Sequence, residues 1–345
     1  NLSRAYANTT TVTVDYALLV TGTTATGDPN CATAGADYDS DDTFTVPGTL
    51  TFLPTDTSET FNVVICGETL DELDEIINLS LSNPVNASLG VGAAALTITD
   101  DDAPPVITIT PGTVTIAEPG GLGGTAVLTF DVTLSTASGQ TVTVDYATVE
   151  GSGDGFAKVG ADYVGKTDTF TFLPTTTGPQ TITITVKGDV LNETNETFDV
   201  ALSNPTNATL GSPGTATVTI TDDGDIAPTA SFSAAPYFKN EGNSGTSTAT
   251  ITVNLSRQSG QTIILGYSTV SGGSCGANAA LAGSDYVTAN GQLTFNPSDL
   301  SASFTVTING DVALEPDECL TLNLSSVAGT VTITGPSELW ITNDD

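Results

Sequence analysis

Tandem all-β sandwiches are what this sequence predicts, and three observations predict them. The first is alternation: Thr-Val-Thr-Val-Asp-Tyr (141–146), Thr-Phe-Thr-Phe (169–172) and Thr-Ile-Thr-Ile-Thr-Val (181–186) switch between small polar and apolar residues. A period of two puts one strand face in a core and the other in water. The second is punctuation, since turns rich in Gly, Pro, Asn and Asp separate these runs and helical periodicity is missing. The third is repetition at about 122 residues, so the 345 residues hold just under three units, 1–103, 104–226 and 227–345, each large enough for a core. Matching strand runs fall at 11–16 and 49–53 in unit one and at 248–255, 292–295 and 303–308 in unit three. Short proline linkers, Ala103-Pro104-Pro105 and Asp225-Ile226-Ala227-Pro228, restrict the hinges and predict a rod-like array.

Acidic residues recur at fixed places in the repeat. Gly-x-Asp-Tyr stands at Asp37, Asp162 and Asp285. An acid-rich loop follows at 67–75 (GETLDELDE), 188–196 (GDVLNETNE) and 310–318 (GDVALEPDE). Each unit closes on ITDDD, ITDDG or ITNDD, with Asp100, Asp222 and Asp344 spaced 122 apart. A hard cation such as calcium needs about six to eight oxygens, several of them carboxylates. Two loops and a strand end converging at one end of a sandwich can supply them, so a repeating cation site is expected.

Charge and composition narrow the function. Net charge is −34, from 40 acidic against 6 basic residues, which excludes nucleic acid and anionic membrane surfaces as partners. Hydrophobic residues make up 38%, so the chain folds, and no segment reads as a signal or a membrane span. Histidine is absent, which removes the usual neutral-pH base, and lysine is too scarce for a repeated Ser–Lys site; an enzyme is not expected. The single Trp340 also speaks against a sugar cleft built on aromatic platforms. Cys31 and Cys66 lie in unit one, Cys275 and Cys319 in unit three. Two per unit fits two intradomain disulfides and an oxidising, extracellular or cell-surface setting; buried thiols are the alternative, and zinc lacks a Cys-x-x-Cys pair or His.

Unit one starts late in its repeat. Asn1-Leu-Ser-Arg matches Asn254-Leu-Ser-Arg, so its first one or two strands are expected to be missing, by a cut through a longer array or because another copy supplies a strand.

Together the Gly-x-Asp-Tyr, the Gly-Asp-x-x-x-Glu-x-x-Glu loop and the Thr-Ile-Thr-Asp-Asp close resemble the Calx-β repeat over nearly the whole chain. The resemblance implies a seven-stranded antiparallel sandwich of immunoglobulin-like shape that binds Ca2+ in loops at one end. Carried over residue by residue, the ligands in unit two are Glu118, Asp162, Asp189, the carbonyl of Leu191, Glu193, Glu196, Asp222 and Asp223. In unit three they are Glu241, Asp285, Asp311, the carbonyl of Ala313, Glu315, Glu318, Asp344 and Asp345. In unit one they are Asp37, Glu68, the carbonyl of Leu70, Glu72, Glu75, Asp100, Asp101 and Asp102. The departures are a missing opening glutamate in unit one, Gly67, Gly188 and Gly310 where an acid is usual, Gly224 for a third aspartate, and Asn343 ahead of the last pair. They imply fewer ions per unit than the most acidic members hold.

The expected function is an extracellular structural or adhesive protein, a calcium-stiffened rod or fibre whose partners are other copies of itself or surface ligands. A calcium-sensing module of a membrane transporter and a carbohydrate- or ice-binding surface formed by Thr-x-Thr rows are the alternatives.

Overall fold

Alternation decides which side of each strand is buried. In Gln180–Lys187, Ile182, Ile184 and Val186 are buried, with threonines between them at the surface. Across the sandwich, Val142, Val144 and Tyr146 of Val142–Glu150 meet them. The computed structural model describes residues 2–3, 9–19, 21–33, 35–40, 48–153 and 155–344. Among these, regular structure is strand apart from the 3-10 turn Pro29–Cys31, and no helix is long and apolar enough to cross a membrane.

Unit two carries two sheets. One orders Thr113–Ala117, Thr215–Thr221, Glu196–Thr206, Val142–Glu150 and Thr167–Phe172; the other orders Gln180–Lys187, Thr125–Leu134, Val106–Thr110 and Thr209–Leu210. Unit three repeats the plan around Ile251, Leu265, Val306 and Leu322. Most pairings are antiparallel, as expected. The exceptions include the second strand of each of these units, which lies parallel to the closing one: Thr113–Ala117 beside Thr215–Thr221, and Tyr237–Asn240 beside Ser337–Thr342. In unit one the described residues form a four-stranded sheet, Gly48–Phe52, Val12–Leu19, Glu75–Val85 and Ala93–Ile98, and two short pairs, Leu2–Ser3 with Ser58–Glu59 and Gly27–Asp28 with Tyr38–Asp39. Among them there is no counterpart of that second strand. The described buried core of unit one forms two small clusters, one of Val12, Val14, Leu50 and Phe52 and one of Ala25, Tyr38 and Ile77.

Stacked aromatics tie the sheets together, Tyr163 on Phe198 at 3.9 Å and Tyr267 on Phe304 at 4.0 Å between ring centres. Such pairs are worth about 0.5–1.5 kcal/mol beyond the area they bury. Cys31 is bonded to Cys66 and Cys275 to Cys319, one bridge inside unit one and one inside unit three. Closing loops of this length contributes about 4 kcal/mol in the chain-entropy account. Calorimetry with and without a reducing agent should therefore shift two of three unfolding transitions and leave the middle unit's in place. Equal shifts in all three, or in none, would contradict this assignment.

Candidate metal centres

A tyrosine anchors each centre. Tyr38, Tyr163 and Tyr286 are buried in the cores, and each fixes the aspartate before it at the end of its sandwich. The carbonyl of that aspartate accepts from the strand beside it: from Cys66 N–H at 3.1 Å, Lys187 N–H at 2.8 Å and Asn309 N–H at 2.9 Å for Asp37, Asp162 and Asp285. The carboxylates accept backbone amides of Thr26 (2.6 Å), Lys158 and Leu281 (2.6 Å). Position and rotamer are thus set by backbone groups, before any ion is considered.

The acidic loops complete the first group. Carboxylate oxygens of Asp37, Glu72 and Glu75 lie within 4.8 Å of one another, and so do those of Asp162, Glu193 and Glu196, and of Asp285, Glu315 and Glu318. The loop is shaped by its second residue, whose carboxylate accepts the amide two residues on: Asp189 from Leu191 at 2.6 Å, Asp311 from Ala313 at 2.7 Å, and Glu68 from Leu70.

A second group depends on the parallel strand pair. Glu118 N–H donates to the Thr221 carbonyl at 2.8 Å, which places its side chain beside the closing aspartates. Glu118, Asp222 and Asp223 come within the same 4.8 Å, and Glu118 Oε1 also accepts from Asp189 N–H at 2.8 Å. Unit one has no opening glutamate, and there the longer Glu68 meets Asp100 and Asp102 instead. Both unit-one groups line one cleft of about 280 Å³.

Unit three has no second group among its described residues. By strand register, Asn343 follows Thr342 as Asp222 follows Thr221, so the spacing of 122 that links Asp222 to Asp344 is one residue out of structural register. The Asn343 amide donates to the Ala313 carbonyl at 3.1 Å, occupying an oxygen expected as a ligand, while Asp344 accepts from Gly242 N–H at 2.9 Å. Asp101, Asp189 and Asp311 also fall outside the groups, the last two because they bond their own loops; Asp345 lies outside the described residues. The glycines opening the loops have a physical cause in units two and three. A Cβ on Gly188 would lie 1.5 Å from the Pro119 carbonyl oxygen, and one on Gly310 would lie 2.0 Å from that of Gly242, so no acid fits. Sequence reasoning missed Asp74 and Asp317, which accept Asp100 N–H and Asn343 N–H, both at 3.2 Å; their shared eighth place in the loop was the available signal.

Crowding raises the proton affinity of these acids. Burial, then Glu68, Asp37 and Asp100, pushes Glu72 up to about 7; burial, then Asp162 and other acids, pushes Glu193 up to about 8. Burial also raises Glu118, to about 7, against the bond from Asp189. Glu75, Glu196 and Glu318 are all raised, first by burial and then by contact with Asp37, Asp162 and Asp285, with which they share a hydrogen bond. Glu75 Oε2 is buried with no hydrogen-bond partner among the described residues. Each group holds carboxylates alone, and the four cysteines are all oxidised. Such an all-oxygen donor set fits a hard divalent cation such as calcium and suits zinc or copper poorly.

The Calx-beta domain family matches the chain three times, over residues 9–102, 100–224 and 223–345. Among solved structures, the apo form of the Calx CBD1 domain is 28% identical and covers 35% of this chain and 100% of that one, with a TM-score of 0.31. CBD12 from CALX1.2 is 23% identical, covering 64% and 79% with a TM-score of 0.30. The calcium binding domain CBD12 of CALX1.1 is 20% identical, covering 68% and 99%, also at 0.30. No curated protein matches the chain.

The raised carboxyls fix the sign of the pH dependence. Without a cation the folded chain binds more protons than the unfolded one from about pH 4.5 to about pH 9, so stability falls as pH rises through that window. In EDTA the melting temperature should drop across this range, with calcium reversing the loss. Glu196→Gln, uncharged throughout, should lessen the share of unit two, with Glu193 and Glu118 still contributing. A melting temperature that climbs with pH in EDTA would refute the account.

Proposed function

Because the chain belongs to the Calx-beta domain family, we propose that it is an extracellular structural or adhesive element, a row of sandwiches in which calcium at the carboxylate groups stiffens the junctions between units. The observation that carries this reading is the coincidence of two roles in one loop. Glu72 and Glu193 belong to carboxylate groups, while the residues before them, Asp71 and Asn192, contact the next unit. In units one and two an ion held there would lie at a junction. The residues that would hold it are Asp37, Glu72 and Glu75, with their counterparts Asp162, Glu193, Glu196 and Asp285, Glu315, Glu318; Glu68, Asp100, Asp102 and Glu118, Asp222, Asp223 would form further sites. The ion supplies positive charge that lets crowded carboxylates ionise together. Extracellular modules commonly bind calcium at about 10⁻⁴–10⁻³ M, so weak sites of this kind fill outside a cell.

The two disulfides favour an oxidising compartment over the inside of a cell. A calcium-sensing module attached to a transporter would use the same carboxylates, and the disulfides are what rank it second. The adhesive role would also accommodate assembly with other copies. In unit one an apolar groove lined by Phe61, Leu79, Leu81, Val91 and Ala94 offers a seat for an added strand. Sedimentation over a range of concentrations tests this part: growth beyond a monomer supports it, and a monomer throughout rejects it.

The central test is a thermal melt with EDTA and then with calcium restored. Binding stabilises each site by about 2.7 kcal/mol at a hundredfold excess over Kd. A calcium-reversible fall in melting temperature is expected. An unchanged melt would leave the acids as surface charge and overturn the proposal.

A further inference from the structure

The same three-residue turn receives the preceding unit at both junctions. In unit two it is Ser138-Gly139-Gln140, in unit three Ser259-Gly260-Gln261. Ser138 Oγ donates to the Asp71 carbonyl at 3.0 Å, as does Gly139 N–H at 3.1 Å, and Gln140 Nε2 donates to Asp71 Oδ2 at 3.2 Å. At the second junction Ser259 Oγ donates to the Asn192 carbonyl at 3.1 Å, and Gln261 Nε2 to Asn192 Oδ1 at 2.9 Å. Asp71, Ser138, Asn192, Ser259 and Gln261 are all buried. Each turn is formed before it is filled. The serine hydroxyl accepts the glutamine's own amide at 3.0 and 3.1 Å, and the serine carbonyl accepts from Thr175 N–H at 2.8 Å or Ser298 N–H at 3.0 Å within its own sandwich.

The central glycine leaves room for the glutamate of the preceding loop. A Cβ on Gly139 would lie 2.2 Å from Glu72 Oε1, and one on Gly260 would lie 2.0 Å from Glu193 Oε1. The docked residue is the fifth of the acidic loop, and both Asp and Asn present the side-chain oxygen that the glutamine amide seeks. In unit three the fifth residue is Leu314, which has no such oxygen and is exposed. In unit one the place of the receiving turn reads Asn8-Thr9-Thr10.

We propose that Ser-Gly-Gln is a docking socket for an Asp or Asn at the fifth place of a preceding unit's acidic loop, and that this pairing sets the order and mean angle of neighbouring sandwiches before a cation adds its stiffness. Units one and two carry the inserted residue and units two and three carry the socket. Among these three units, therefore, unit one can only give and unit three can only receive. A residue of similar size without the oxygen breaks the fit.

Pulsed electron resonance on the full chain, with one spin label on unit two and one on unit three, tests the inference in EDTA. The native chain should give one narrow distance distribution. Asn192→Leu should raise the undocked fraction about tenfold or more, through loss of the bond from Gln261 to Oδ1 and of the bond from Nδ2 to the Asp225 carbonyl. Leucine already stands at this place in unit three, so the loop tolerates it, and unchanged circular dichroism would confirm that the sandwiches remain folded. An Asn192→Leu chain as narrow as the native one would overturn the socket. So would a native chain that is broad in EDTA and narrows only with calcium, because the cation would then set the angle. Loss of calcium binding in melts leaves this reading intact, so the two proposals fail separately.

Discussion

Carboxylates forced within 4.8 Å of one another are the constraint on which the ends of these sandwiches depend. Left ionised together they would repel and open the loops that hold them, so each group needs a proton or a cation. The protein holds them together with neutral backbone. Asp162 is fixed between Lys187 N–H and Lys158 N–H, Asp222 accepts Glu193 N–H and Gly224 N–H, and Glu118 accepts Asp189 N–H. Lysine and arginine take little part, which a chain with six basic residues could not avoid. Order at the site is therefore built by strand pairing and tight turns, and charge is left for an ion to balance.

The same economy explains why the three units differ. Glu118 exists as a site residue because its strand runs parallel to the closing strand; that strand also brings the Pro119 carbonyl over Gly188 and forbids an acid there. In unit three the corresponding strand is present, yet Asn343 uses its amide on Ala313 and the second group does not form among the described residues. Unit one lacks a described opening strand, Gly67 has open space around it, and Glu68 reaches the closing aspartates instead. One substitution or one missing strand changes the number of groups without disturbing the one built on Asp37, Asp162 or Asp285.

Much of this was legible in the sequence. Alternation placed the strands, and Gly-x-Asp-Tyr with the loop glutamates named the residues that the fold brings together, because tyrosine and aspartate act locally in the same way in every unit. Less was legible where the outcome depends on a neighbouring strand. The role of Gly188 could not be read without the Pro119 carbonyl, and counting by 122 matched Asp222 to Asp344 because the last unit is one residue shorter before its close. Ser-Gly-Gln reads as an ordinary turn until the preceding loop is seen inserted in it. Asp71 reads as one more acid among many, and only its burial against Ser138 sets it apart.

The placement of the two disulfides has a mechanical consequence for a chain pulled from its ends. A covalent bridge keeps the residues between its cysteines out of reach of tension even after the sandwich comes apart. The spans of 35 and 44 residues thus withhold about 120 Å and about 150 Å of extended chain in the outer units. The middle unit has no bridge and can pay out its whole length, about 400 Å. Under load the middle unit therefore releases more chain than either of its neighbours, whose slack is set by the redox state of their surroundings.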